Sequence, residues 1–352
     1  MIAVIALLVT AACSSSSSSP RAGATRSASP TRGPASSGPT VSPRPTSSAG
    51  TKAPAVTPYT DVTGASMFAA STVTLATLRK TYPGVAFSVR TVRWDGVVRA
   101  YLAAAPSAAH GARAALPLFV VLSGYHSSSG LESERTGFLP LVSQGKAVAV
   151  YPVGYHESWD VDAAHSCCHE AAQRKLDDEG FVAAATRDAR TAWHTDADRT
   201  YLVGHSNGAK LAFTLACGRS DLYAAVATMA AVDGDGCDPP AAPISALVAV
   251  GDADTQEPSA EHSSPPVPLL DATAIAFRRR DHCTSSSRTV EHELADVVDW
   301  RSCGSGTAVR RIVYSGVRHS WPASGHYRGA TRVDGSIALA TLIEQFVMSR
   351  HR

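Results

Sequence analysis

The segment best suited to chemistry in this 352-residue chain is Gly204-His205-Ser206-Asn207-Gly208. It reads G-x-S-x-G, directly follows the apolar run Tyr201-Leu202-Val203 and directly precedes a small-residue stretch with helical spacing. A strand-to-helix turn that tight has no room for side chains at its flanks, hence the glycines. It lifts the Ser206 hydroxyl above a sheet and aims a helix N-terminus at it, so the Asn207 N–H can donate to a developing oxyanion. A serine hydroxyl is a weak nucleophile without a base. With a serine in this context the partners follow in the order Ser, acid, His. The downstream histidines are His262, His282, His292, His319, His326 and His351. His319 is the best placed, shortly after the last apolar strand run, and His326 is its rival. The acid is expected after the strand run Ile244 to Val250, where Gly251-Asp252-Ala253-Asp254 offers two carboxylates. Asp252 is nearer the strand end, where a carboxylate can also cap the turn. A second oxyanion donor is expected after an early strand, at Leu122-Ser123-Gly124-Tyr125-His126. There Gly124 permits close backbone approach and the Tyr125 N–H is the expected donor. Trp159 and Trp321 flank these loops and could line an acyl or aryl pocket, although Trp is as often a core residue.

The elements that must position these groups follow from the hydrophobic pattern. Ala86–Val92 and Val97–Ala103 read as a strand pair turned at Trp94-Asp95-Gly96. Leu116–Leu122 and Lys146–Val153 are continuous apolar runs, expected of strands buried on both faces. Asp177–His194 has helical spacing, Tyr201–Val203 is a short strand and Ala209–Cys217 a helix. Ala224–Val232, Ile244–Val250 and Val309–Tyr314 are strands; Leu269–Arg280 and Ile337–Val347 are helices. Strand and helix alternate, which predicts an α/β fold with a mostly parallel central sheet and helices on both faces. Sites in such sheets form at the C-terminal strand ends, where the residues named above fall.

The N-terminal sixth of the chain is different. Ile2–Val9 is an apolar run too short to span a bilayer as a mature helix, and it fits an export signal. It ends at Ala11-Ala12-Cys13, which resembles a bacterial lipoprotein signal with Cys13 as the lipidated residue. No Lys or Arg precedes the run, and Thr10 stands where Leu is usual. The expected organisation is a signal over 1–13, a disordered Ser/Pro-rich linker over 14–58 and a catalytic domain over 59–352. The domain is then lipid-anchored on the outer side of a bacterial cell membrane, or secreted outright. Six further cysteines, Cys167, Cys168, Cys217, Cys237, Cys283 and Cys303, suggest disulfides in an exported domain. Six cysteines allow about fifteen pairings. Cys283 with Cys303 closes a local loop. Vicinal cysteines rarely pair, so Cys167 and Cys168 are expected to go separately to Cys217 and Cys237. A metal reading of His165-Ser166-Cys167-Cys168-His169-Glu170 is disfavoured, because adjacent cysteines lack the usual ligand spacing. The net charge is +2, and Arg278-Arg279-Arg280 reads as a solvated helix end without interleaved aromatics, so nothing calls for nucleic acid.

Taken in order, the segments VVLSGYHSSSG, YPVGYHESWD with SCCHE, LDDEGFVAAATRDA, RTYLVGHSNGAKLAFTLAC, VGDADTQEP and GVRHSWPASG resemble those of secreted polyhydroxybutyrate depolymerases and feruloyl or acetylxylan esterases, which are α/β-hydrolases. The resemblance runs from about Leu116 to the C-terminus and implies a serine esterase with an α/β-hydrolase fold. The family's acid motif, His-Gly-Thr-Ala-Asp, aligns its final Asp with Asp254, and its His-Ser-Trp-Pro aligns with His319–Pro322. The resemblance therefore selects Asp254 over Asp252 and supports His319. The chain has Ser123-Gly124 where the family has His-Gly, Asp160 where Asn is frequent, and Ala209 where a second Gly is usual. The separate substrate-binding domain of extracellular polymer-degrading members is not evident. An ester substrate, a monomer, and no metal or organic cofactor are expected. Two other readings stand beside this one: an acyltransferase of the mycolyltransferase type, and a catalytically inactive α/β-hydrolase fold serving as a surface binding protein.

Overall fold

A computed structural model of the chain describes Met67 and residues 73–107, 115–161, 169–232, 242–256, 266–291 and 293–352. All lie in one unit, Pro54–Arg352. The signal and linker readings of residues 1–58, with Cys13, fall outside the described residues, as do Cys167, Cys168, Cys237, His165, His262 and His292.

Strand β1 (Val85–Trp94) and β2 (Val97–Pro106) form an antiparallel hairpin. Its turn is Asp95-Gly96, both at positive φ (47° and 75°), the conformation that tight hairpins need and that glycine accepts readily. The chain continues through β3 (Leu118–Leu122), helices α1 (Ser129–Arg135) and α2 (Leu139–Ser143), and β4 (Val148–Pro152). Next come α3 (Asp178–Trp193), β5 (Thr200–His205), α4 (Asn207–Gly218), β6 (Ala225–Met229) and β7 (Ser245–Gly251). Helix α5 (Pro266–Arg280), hairpin β8 (Ser286–Glu291) and β9 (Ala295–Trp300), β10 (Val309–Tyr314) and α6 (Leu339–Val347) complete the framework. The order across the ten-stranded sheet is β1-β2-β4-β3-β5-β6-β7-β10-β9-β8. The run from β4 to β10 is parallel, and antiparallel strands flank it at both edges.

The parallel strands are buried on both faces, as continuous apolar runs such as LFVVL require. Phe181, Leu211 and Leu270 bring α3, α4 and α5 onto one face. Leu131, Leu139 and Ile343 bring α1, α2 and α6 onto the other. Asp177 caps α3 by accepting from the Gly180 N–H at 2.8 Å, and His194 closes it at φ 48°. Arg278, Arg279 and Arg280 form the last turn of α5, but the solvated end expected of them is not met at Arg280, whose guanidinium pairs with Asp281 and donates to Ile244 O at 2.8 Å.

Elements added by the structure include α1, α2, the β8–β9 hairpin, short helices at Leu75–Thr81 and His169–Arg174, and a two-stranded pair, Trp321–Ala323 with Ala330–Arg332. The hairpin lies beside a disulfide between Cys283 and Cys303, the local pairing expected. Cys217 is also disulfide-bonded, and its partner lies outside the described residues.

Candidate active site

The turn between β5 and α4 holds Ser206 at φ 53° and ψ −120°. That is a sparsely populated conformation for a residue with a Cβ, and it persists only where the surroundings over-determine it. Here they do. The Ser206 N–H donates to Met229 O at 2.8 Å, and the Ser206 carbonyl accepts from Ala209 N and Lys210 N at 2.8 and 3.1 Å. The flanking glycines are sterically required: a Cβ on Gly204 would lie 2.5 Å from Gly208 O, and one on Gly208 would strike the backbone of Leu122 and Ser123.

Two loops bring groups to the hydroxyl. His319, after β10, places Nε2 at 2.7 Å from Ser206 Oγ. Asp254, after β7, places Oδ2 at 2.8 Å from His319 Nδ1. A carboxylate can only accept, so the proton sits on Nδ1 and Nε2 is left to accept from the serine. The Asp254 carboxylate is fully buried, and its other oxygen accepts from Gln256 N at 2.9 Å. The two loops are locked together backbone to backbone: Ala253 N donates to Val317 O at 3.1 Å. A Cβ on Gly251 would overlap that carbonyl. Asp252 turns elsewhere, accepting from Gly316 N at 2.7 Å and Ser315 Oγ at 3.3 Å. It is the turn cap, as its place at the strand end allowed. His326, the rival base, is exposed.

Gly124 brings the β3 loop against the elbow, where its missing Cβ would stand 3.3 Å from Ser206 Cβ. The backbone N–H groups of Tyr125 and Asn207 find no acceptor among the described residues. Asn207 opens α4, where a helix N–H has no intrahelical partner. Its side chain is buried and accepts from Trp159 N at 2.8 Å.

The two tryptophans correct an expectation. Trp159 and Trp321 have no exposed surface, and they lie on opposite sides of the sheet. Trp159 Nε1 donates to Ser123 O at 2.8 Å, pinning its loop to the loop after β3. Trp321 packs edge-on against His205, with ring centroids 5.9 Å apart. Both support site loops from behind, and Trp321 also lines a cavity on its own side of the sheet with Pro322, Tyr327 and Ala340. Sequence reasoning also passed over Glu132 and Arg135, which lie buried beneath the site. The Ser-x-x-Glu spacing of Ser129 and Glu132, which marks a helix start one residue beyond the observed cap Ser128, was the available signal.

The strand order, the antiparallel second strand and a serine on a strand–turn–helix elbow define an α/β-hydrolase fold. No family model matches the chain. The curated relative "Putative esterase NocK" of Nocardia uniformis subsp. tsuyamanensis is 30% identical over 210 residues, 58% of this chain and 58% of its own. The chain thus spans less than two thirds of that relative's length. Among solved structures, an acetyl xylan esterase from Aspergillus awamori is similar over 66% of this chain and 94% of its own, at 12% identity and a TM-score of 0.49. A thermostable esterase is similar over 77% and 64%, at 13% identity and a TM-score of 0.46.

Proposed function

We propose that this chain is a serine hydrolase of carboxylic esters that works through an acyl-enzyme. The observation that carries the reading is the unbroken hydrogen-bonded line from Ser206 through His319 to the buried Asp254. Ser206 Oγ attacks the ester carbonyl carbon while His319 Nε2 takes its proton. The carbonyl electrons collapse, the bond to the alcohol breaks, and His319 returns the proton to the leaving oxygen. Water, deprotonated by His319, then attacks the acyl carbon, and the acid departs as Ser206 regains its proton. Asp254 holds the Nδ1–H tautomer and stabilises the imidazolium in both halves. The Tyr125 and Asn207 N–H groups receive the oxyanion.

The substrate class is an ester of the hydroxybutyrate-oligomer, feruloyl or short acyl type, which the sequence motifs support. The relative's printed name, an esterase, points to the same reaction. The domain is exported and held at the membrane by a lipidated Cys13 on a Ser/Pro-rich tether. The apolar run that ends at Cys13 supports this, and the mass of the mature N-terminal peptide tests it.

The test of the reaction is a fluorophosphonate probe together with a panel of p-nitrophenyl, feruloyl and hydroxybutyrate esters. The expected result is label on Ser206 and release of free acid, both abolished in Ser206→Ala. Absence of label and of turnover on the whole panel overturns the reading. Donor consumed without free acid identifies transfer to an alcohol instead.

A further inference from the structure

A buried ionic cluster lies under the site, and no step of the reaction above uses it. Glu132, Arg135 and His205 are 0%, 5% and 5% exposed. Glu132 and Arg135 form a two-pronged pair: Oε2 accepts from Arg135 Nε, and Oε1 lies 3.0 Å from Arg135 Nη2. Two further contacts leave this pair in different directions. Glu132 Oε1 accepts from the Gly124 N–H at 3.4 Å, and Arg135 Nη2 donates to His205 Nδ1 at 2.8 Å. Gly124 belongs to the oxyanion loop, and His205 is the residue before the nucleophile. Those two walls also touch directly, since a Cβ on Gly124 would lie 3.1 Å from His205 Nδ1.

A buried ion pair is a poor device for stability alone, because apolar residues of similar volume often serve as well or better. Its value here is directional. We infer that Glu132 and Arg135 are positioning residues that tie the oxyanion loop to the nucleophile elbow, fixing the Gly124 amide and with it the adjoining Tyr125 N–H. This rests on the reading of Ser206 as nucleophile and Tyr125 as oxyanion donor. His205 suits the role, because burial, Arg135 and His319 hold its imidazole well below its ordinary pKa. Neutral at Nδ1, it can accept the Arg135 proton.

The test compares two double variants in the full chain, Glu132→Gln/Arg135→Met and Glu132→Leu/Arg135→Met. Both remove the two buried charges together, but only Gln retains an acceptor for the Gly124 N–H. The Gln variant, which keeps the Gly124 contact but cuts the Arg135 link to His205, is expected to lose about tenfold in kcat. The Leu variant is expected to lose about a hundredfold in kcat with KM nearly unchanged, the scale of a misplaced oxyanion donor. Equal kcat in the two, or a loss confined to KM, overturns the inference. Should either fail to fold, Glu132→Asp keeps the charge pair and withdraws the acceptor. About a tenfold fall in kcat at constant KM is then expected, and an unchanged kcat overturns the inference. Ser206→Ala runs alongside. Turnover that survives it sinks the nucleophile reading, whereas its loss together with equal kcat in the paired variants sinks only the positioning role.

Discussion

Asp252 and Asp254 leave one turn in different directions, the first closing on the Gly316 N–H at 2.7 Å and the second on His319 Nδ1 at 2.8 Å. Two residues of separation thus divide a structural carboxylate from one aligned with the proton path. Asp254→Asn is expected to lower kcat by about four orders of magnitude, because an amide can hold the wrong imidazole tautomer. Asp252→Asn is expected to leave kcat within a few-fold and to cost about 1 kcal/mol of stability. Steady-state kinetics and thermal melts of the pair check this; equal losses of kcat would refute the division of roles.

Ser206 and His319 are expected to act as one unit. Ser206→Ala and His319→Ala should each reduce kcat by roughly 10⁴–10⁶-fold, and the double variant should be little worse than either alone. Multiplicative losses would show that the 2.7 Å contact between them is not the proton path.

Gly251→Ala tests how the acid and base loops are joined. The added methyl overlaps the Val317 carbonyl, so one of the two loops must shift. Lower melting temperature and lower kcat together are expected. A stable variant with full activity would mean that this backbone contact is dispensable.

The Cys283–Cys303 bridge spans 20 residues between the end of α5 and the start of β10, at the end of the sheet opposite the triad. Cys283→Ala/Cys303→Ala is expected to cost about 3 kcal/mol in stability while kcat stays unchanged at a temperature where the variant is folded. A fall in kcat without unfolding would contradict the bridge's purely structural place.

His205 makes stability depend on pH. Its folded pKa is depressed well below the ordinary 6.5 by burial, Arg135 and His319, in that order. As pH falls below about 6.5, the unfolded chain takes up a proton that the folded chain refuses, so stability falls with decreasing pH. His205→Asn is expected to flatten the urea-unfolding profile between pH 7 and 5 relative to the parent, with a slope change of at most about 1.4 kcal/mol per pH unit. Parallel profiles would show that His205 is not buried and neutral.

Much of the framework is legible because it is local. Leu118–Leu122 and Val148–Pro152 are apolar throughout, and Asp177 and His194 stand as caps at the two ends of an amphipathic stretch. The elbow is legible because Gly204 is demanded by contacts with Gly208 and Ala209 within five residues, whereas the demand on Gly208 comes from the distant backbone of Leu122 and Ser123. Helix α1 is not legible, since Ser129, Glu132, Ser133 and Arg135 read as a solvated surface; Ser129 is buried on Pro152 O and the Glu132–Arg135 pair on a contact that reaches to residue 205. The β8–β9 hairpin escapes for a related reason. Ala295–Trp300 alternates inward and outward, but polar residues such as Asp296 and Asp299 on it are paired to Arg311 and Arg310 of β10. Trp159 and Trp321 were legible as neighbours of the site but not as parts of its supporting walls.

The φ of 53° at Ser206 also limits which residues could ever replace it. Branching at Cβ is strongly disfavoured at positive φ, so threonine is poorly accommodated even though it offers the same hydroxyl. Cysteine and aspartate are unbranched at Cβ and fit the same backbone. The elbow therefore leaves this site open to change its chemistry by exchanging the attacking atom, while closing the seemingly smaller step of adding one methyl group.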